Sequence, residues 1–257
     1  MKSRLLKNFI QEIQFKNRNP KETRVLALLD DISTNPERIF QQGEKLYRSR
    51  IILNEEEINK KTGFYGYDAE QSFIPPWRIT RDLRANYRYI PYLYCSNHPY
   101  ISLIEVRPRI GAKISIATIL VNQNINLLDF TIQNKPTKMS ETKYNLFVEL
   151  SNLYSNLYSK PIANDDDTLD YIPTQFIAEY AKNLGYDGIA FTSSLAPEIN
   201  NTNLERFNVV IFNYQKCSAI KSNVICLEAN HSEFHQIDND LDKLNTDCYV
   251  LEQLIAL

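Results

Sequence analysis

The sequence predicts an α+β domain carrying an N-terminal helical appendage, and three observations lead there. Apolar residues among the first forty positions recur at the three-to-four spacing of helices. From Lys45 the period drops to two, as a half-buried strand requires. Beyond that point β-rich runs and long amphipathic stretches occur together, which sketches mixed α and β structure. With 257 residues, 43% of them hydrophobic, the chain is long enough for one large domain or two modest ones.

In order along the chain, Leu5, Leu6, Phe9, Ile10 and Ile13 form the stripe of a first helix, stopped by Asn19-Pro20. Val25, Leu26, Leu28 and Leu29 mark a second helix, and the turn Ser33-Thr34-Asn35-Pro36 caps a short third one through Phe40. Residues 1–42 are therefore read as the appendage. KLYRSRIIL is a strand with Leu46, Arg48 and Arg50 on one face and Tyr47 and Ile51 on the other. The stretch with Gly63, Gly66, Asp68 and Pro75-Pro76-Trp77 reads as a long loop. IPYLYC then predicts a strand, HPYISLIEV a short helix, and ISIATILV and INLLDF two more strands. Tyr144, Phe147, Val148, Leu150, Leu153, Tyr154 and Leu157 define an amphipathic helix, and a further helix from Asp170 to Leu184 ends at Gly185. DGIAFTSS and RFNVVIFN are buried-strand candidates. CSAIKSNVICLEA adds one more strand, and residues 226–257 are expected to pack as a C-terminal extension on a domain spanning 43–225.

Composition excludes several function classes. The chain has only 6 glycines, and Gly43, Gly63, Gly66, Gly111, Gly185 and Gly188 match neither G-x-G-x-x-G nor G-x-x-x-x-G-K-[ST]. Turns are expected to lean on Pro and on the 26 asparagines, since Asn tolerates left-handed backbone angles. A balance of 29 Lys+Arg against 31 Asp+Glu gives no global basic field for nucleic acid. No apolar run approaches the ~18 residues of a membrane span, and the polar residues Lys7, Asn8, Gln11 and Glu12 interrupt any secretory core. A cytoplasmic protein with its four cysteines reduced is expected.

The segment LRANYRYIPYLYCSNHPYISLIEVRP holds Arg84, Tyr94 and Glu105 within about two dozen residues. Glu105 interrupts the apolar series Ile101, Leu103, Ile104, Val106, where an ionised carboxylate is costly unless paired or hydrogen-bonded. It either faces solvent or pairs with Arg107, or it stands in a cleft. Arg48, Arg50 and Arg84 sit in hydrophobic neighbourhoods, and their planar forks suit phosphate; each taken alone also reads as a surface ion-pair partner. DGIAFTSS delivers Thr192, Ser193 and Ser194 at a strand end, where α/β folds place functional side chains and where hydroxyls also cap turns. No G-x-S-x-G elbow surrounds them. Cys226, His231, His235 and Cys248 have one allowed zinc-ligand spacing but no C-x2-C pair, so no metal site is assigned. His98 reads as a cap on the turn before Pro99, the alternative being a general base.

Taken together, YRSR around Arg48, the Arg84, Tyr94, Glu105 segment, YDGIAFTSS with Ser193, and FNVVIFN resemble the RES domain family, over residues 43–213. The resemblance implies a split, mixed β core like that of ADP-ribosyltransferases, flanked by helices. It implies NAD+ as substrate, with no separate cofactor, and the activity of NAD-degrading toxins of toxin–antitoxin pairs. It carries over Arg48, Arg84, Tyr94, Glu105 and Ser193 as site positions, Glu105, Arg84 and Ser193 read as catalytic and Arg48 and Tyr94 as substrate-binding; the neighbouring Arg50 and Ser194 are added as further substrate-binding candidates. The helical extension fits a variant used in stress or phage defence. An antitoxin or regulatory partner is expected, a homo-oligomer is allowed for, and membrane or nucleic-acid partners are not expected. Three alternatives stay open: mono-ADP-ribosyl transfer to a protein, a non-catalytic interaction module, and RNA binding through Trp77 and the arginines around it.

Overall fold

The computed structural model describes residues 4–20, 23–32, 38–63, 65–131, 139–159, 168–193, 195 and 205–228. Helices α1 (Arg4–Phe15) and α2 (Arg24–Ile32) open the chain. The α1 stripe buries Leu6, Phe9 and Ile13, and Val25, Leu26, Leu28 and Leu29 of α2 are buried with it. Both helices share one apolar core with α6 (Glu141–Ser159) and α7 (Ile172–Asn183). Phe9 meets Phe176 edge to face at 5.7 Å, and Tyr180 donates to Asp30 at 2.7 Å.

Residues 38–40, read from sequence as the end of a short helix, are instead strand β1 (Arg38–Phe40), paired antiparallel with β5 (Ile125–Asp129). Long-range anchors override the local cap signal there: Arg38 bridges to Asp129 at 2.9 Å and to Glu205 at 2.7 Å, contacts invisible to a local pattern. The predicted loop after β2 (Lys45–Ile51) is also more ordered than expected. It contains α3 (Glu55–Thr62), α4 (Ala69–Ser72) and a 3-10 turn at Trp77–Ile79. A reciprocal capping box between Asp68 and Gln71 starts α4.

Eight strands form one mixed sheet in the order β1-β5-β6-β7-β3-β2-β4-β8, with β3 (Leu93–Ser96), β4 (Lys113–Val121), β6 (Gly188–Thr192), β7 (Phe207–Ile211) and β8 (Cys217–Cys226). Among the described residues only the β5–β6 pair is parallel. The central strands read as continuous apolar runs because both faces are covered. Ile189, Phe191 and Val210 face the helical core, while Ala190, Val209 and Ile211 join a second cluster with Phe40, Leu46 and Leu93. Gly188 is required at the start of β6, since a Cβ there would lie 2.3 Å from the Val210 carbonyl oxygen.

The sheet is split where the site lies. β2 pairs with β4 through seven residues, yet with β3 through the single register pair Tyr47 and Ser96. The turn chemistry differs from the expectation of asparagine: five of the six glycines have positive φ, and the other left-handed positions among the described residues are Tyr89 and Arg107. The predicted strand from Cys217 is β8; the C-terminal extension beyond residue 228 lies outside the described residues.

Candidate active site

Where β2 and β3 part, a cavity of ≈ 320 Å³ opens between them, and Arg48, Arg84, Tyr94, Glu105, Ser49, Ser96, Ser102, Asn86 and Asn208 all reach its wall. Sequence-distant elements thus bring the predicted Arg48, Arg84, Tyr94 and Glu105 to one place.

Glu105 is the last residue of α5 (Pro99–Glu105). His98 caps the other end of α5, its Nδ1 accepting from the Tyr100 amide at 3.2 Å, with Pro99 at the first helical position. The helix stops at Glu105 because Arg107 adopts a left-handed φ of 48°, a role glycine usually fills. The Glu105 Oε1 accepts two hydrogen bonds, from Ser193 Oγ and from Asn208 Nδ2, both at 2.6 Å. Asn208 is fixed in turn, its Oδ1 accepting from Ser96 Oγ at 2.7 Å. Ser193 (4% exposed) and Asn208 (5%) are buried, so these bonds form away from competing water. Among the described residues no donor reaches Oε2, which leaves that oxygen for a ligand. Ser193 therefore reaches the cavity through Glu105 rather than as a free nucleophile, and Glu105 is tied to these neighbours, not to Arg107.

Arg48 reaches the cavity from β2. Its Nε donates to the Phe73 carbonyl at 2.8 Å, and its terminal nitrogens take no acceptor among the described residues. Burial pushes the Arg48 guanidinium down to about 10, with the neighbouring Arg50 acting the same way. A desolvated cation of this kind gains by meeting an anion. Arg50, two residues on, does not line the cavity. It donates through Nη1 to the Gln71 carbonyl and lies 4.4 Å over the Tyr67 ring, so it fastens the 67–71 segment to β2. Ser49 and Ser102 join β2 to α5 through a 2.7 Å hydroxyl pair.

Arg84 rides on a loop that is stapled at several points. Thr174 Oγ1 donates to the Arg84 carbonyl at 2.5 Å, and Gln175 Nε2 donates to the carbonyls of Leu83 and Asn86 at 2.8 and 3.0 Å. Asn86, fully buried, donates to the carbonyls of Arg81 and Tyr87. The Tyr94 hydroxyl donates to Asn86 Oδ1 at 2.7 Å. Tyr94 thus locks the loop while its ring borders the cavity. The Arg84 guanidinium lies 5.9 Å over the Tyr171 ring. Cys95 also borders the cavity, but burial pushes its thiol far up, away from the reactive thiolate.

Ser194 lies outside the described residues, as do His231, His235 and Cys248. Among the described residues no cluster suits a metal ion, and no helix is long and apolar enough to cross a membrane. Sequence reasoning missed Asn208, Asn86, Thr174 and Gln175. A signal existed for three of them. Asn208 interrupts the apolar run FNVVIF just as Glu105 interrupts its own, and Thr174 and Gln175 are polar residues in the buried part of α7. Asn86 has no such local mark.

No curated protein matches the chain. A solved structure described as the crystal structure of the M. tuberculosis MbcT-MbcA toxin-antitoxin complex is similar at 13% identity and a TM-score of 0.40, covering 80% of this chain and 97% of that one. The RES domain family model matches residues 62–236, leaving Arg48 and Arg50 ahead of the matched region. That match spans more than half of the sequence, and the chain belongs to the RES domain family.

Proposed function

We propose that the protein is an NAD+ glycohydrolase of the toxin or defence-effector kind, which depletes NAD+ by cutting the bond between nicotinamide and ribose. The observation that carries this is the Glu105 carboxylate, held at Oε1 by Ser193 and Asn208 and open at Oε2, in one cavity with Arg48 and Arg84. Membership of the RES family, whose better-known members are NAD-degrading toxins, supports the same reading.

The chemistry follows from charge. Breaking the C1′–N1 bond sends its electron pair to the pyridinium nitrogen, so nicotinamide leaves neutral and needs no acid. Positive charge then develops on the ribose, as in glycoside hydrolysis. A carboxylate pre-fixed in a sheltered cavity stabilises that charge without reorganising. Water adds at C1′, and its proton passes to Glu105 and on to solvent. The sum is NAD+ plus water giving nicotinamide, ADP-ribose and a proton. Arg48 and Arg84 hold the pyrophosphate, so binding far from the scissile bond positions it. A protein that neutralises the activity is the partner such a toxin needs.

Incubating the full chain with NAD+ and following it by proton NMR should show nicotinamide and free ADP-ribose appearing in equal amounts. NAD+ remaining intact at micromolar enzyme would overturn the proposal. Nicotinamide released while ADP-ribose stays attached to a protein would assign transfer instead of hydrolysis.

A further inference from the structure

The cavity of ≈ 320 Å³ lies at the low end of ligand pockets, which run from roughly 300 to 1,000 Å³. A dinucleotide has two nucleoside halves, and a pocket of that size leaves one of them at the surface. Next to its mouth stands a patch that the site described above does not use. Pro75 and Thr80 line the cavity, and the residues between them form the 3-10 turn Trp77–Ile79. Trp77 is the only tryptophan in the chain and is 56% exposed. Its ring meets that of Tyr89, 50% exposed, at 6.3 Å edge to face.

Tyr89 stands there at a cost. Its φ of 71° is left-handed, a conformation that disfavours any residue with a Cβ. Its amide is held by the carbonyl of the cavity-lining Thr80 at 3.1 Å. Strain that keeps an aromatic ring in solvent at a cavity margin points to a ligand. Cations surround the pair. Arg78 lies 5.2 Å over the Trp77 ring and Arg88 5.0 Å over the Tyr89 ring, and Arg81 is exposed between them. Asp82 is the one acid between residues 76 and 90. Aromatic faces interleaved with arginines are what a base and its phosphates require.

We infer that the Trp77–Tyr89 rim is the docking site for the adenine nucleotide half of the substrate, so that the enzyme selects the dinucleotide over the mononucleotide. The selectivity rests on the NAD+ reading above; the nucleotide site itself does not. AMP, with a base and one phosphate, fits the rim without entering the cavity.

The lone tryptophan makes the test direct. Titrating the full chain with AMP or ADP-ribose should quench its emission saturably, while ribose 5-phosphate leaves it unchanged. Tyr89→Ala should raise the dissociation constant for AMP about tenfold, the scale of one lost stacking contact. In hydrolysis assays Trp77→Ala should raise KM for NAD+ about tenfold at constant kcat, and leave KM for nicotinamide mononucleotide unchanged. The inference is overturned if AMP leaves the emission flat, or if ADP-ribose binds by calorimetry equally well to wild type and Trp77→Ala. Equal KM changes for the two substrates overturn its selectivity. If Trp77→Ala instead abolishes binding of a protein partner and leaves AMP affinity untouched, the rim is a protein-docking surface and the inference is wrong. Quenching by AMP in a protein that does not cleave NAD+ would sink the hydrolase reading and keep the rim.

Discussion

The two joints on either side of β3 are built in opposite ways. Toward β7 it pairs through four residues, and that side is packed with Leu93, Val209, Val210 and Ile211. Toward β2 it keeps one pair, and the gap is edged by Ser49, Ser96, Ser102, Asn86 and Asn208. The first joint is held by apolar area removed from water, which tolerates small errors of placement. The second is edged by polar side chains tied into hydrogen bonds, among them Ser49 with Ser102 and Asn208 with Ser96 and Glu105, which fixes angles but leaves little slack. A fold that must be both stable and open at one place divides the two tasks between neighbouring joints.

That contrast can be broken on either side. The largest expected effect on stability is in the helical core. Phe147, 1% exposed and stacked on Phe130 at 5.8 Å, should cost roughly 3–5 kcal/mol when replaced by alanine. Chemical denaturation measures this, and the turnover of the molecules still folded should be unchanged. Asn208→Ala should do the reverse. It removes a donor to Glu105 and leaves Ser96 without its acceptor, so kcat should drop about 10- to 100-fold at unchanged KM, with a smaller loss of stability than Phe147→Ala. Equal effects of the two variants on turnover would dissolve the distinction.

Arg48 gives the smallest and most specific effect. Burial holds its folded-state value down at about 10, below that of an exposed guanidinium. Its charge therefore burdens the folded state at neutral pH, and the burden lifts as pH rises through 10, because the folded state then releases a proton that the unfolded chain keeps. The stability of wild type relative to Arg48→Met should be flat from pH 7 to 9 and move in favour of wild type above about 10. The same difference measured with bound ADP-ribose at pH 7 should favour wild type, since the pyrophosphate neutralises the charge. A difference that ignores both pH and ligand would mean that Arg48 is solvated and does not face the anion.

Much of this was legible in the sequence, for local reasons. The Leu6, Phe9, Ile13 stripe, the apolar runs of β4, β6 and β7, and the His98-Pro99 helix start are short-range patterns, and each produced its element. A carboxylate inside an apolar run marked Glu105 as needing partners, and the structure supplies them 88 and 103 residues away. What could not be read depends on such distances. β1 exists because Arg38 meets Asp129 and Glu205. The Arg84 loop has its shape because α7 reaches across to its carbonyls. Arg50 shares the strand period of Arg48 on β2, yet the Gln71 carbonyl and the Tyr67 ring hold it away from the cavity. The glycine shortage had a cost that composition alone does not locate: it falls on Tyr89 and Arg107, one at the cavity margin and one just past Glu105.

In the proposed reaction Glu105, held on Oε1 by Ser193 and Asn208, drives cleavage of the nicotinamide–ribose bond. Glu105→Gln keeps the shape and leaves an oxygen to accept from Ser193 and Asn208, but removes the charge. Nicotinamide release from NAD+ under single-turnover conditions should fall by about 10²–10⁴-fold, with the unfolding midpoint and ADP-ribose affinity close to wild type. Release by Glu105→Gln at the wild-type rate would remove the Glu105 carboxylate from the mechanism.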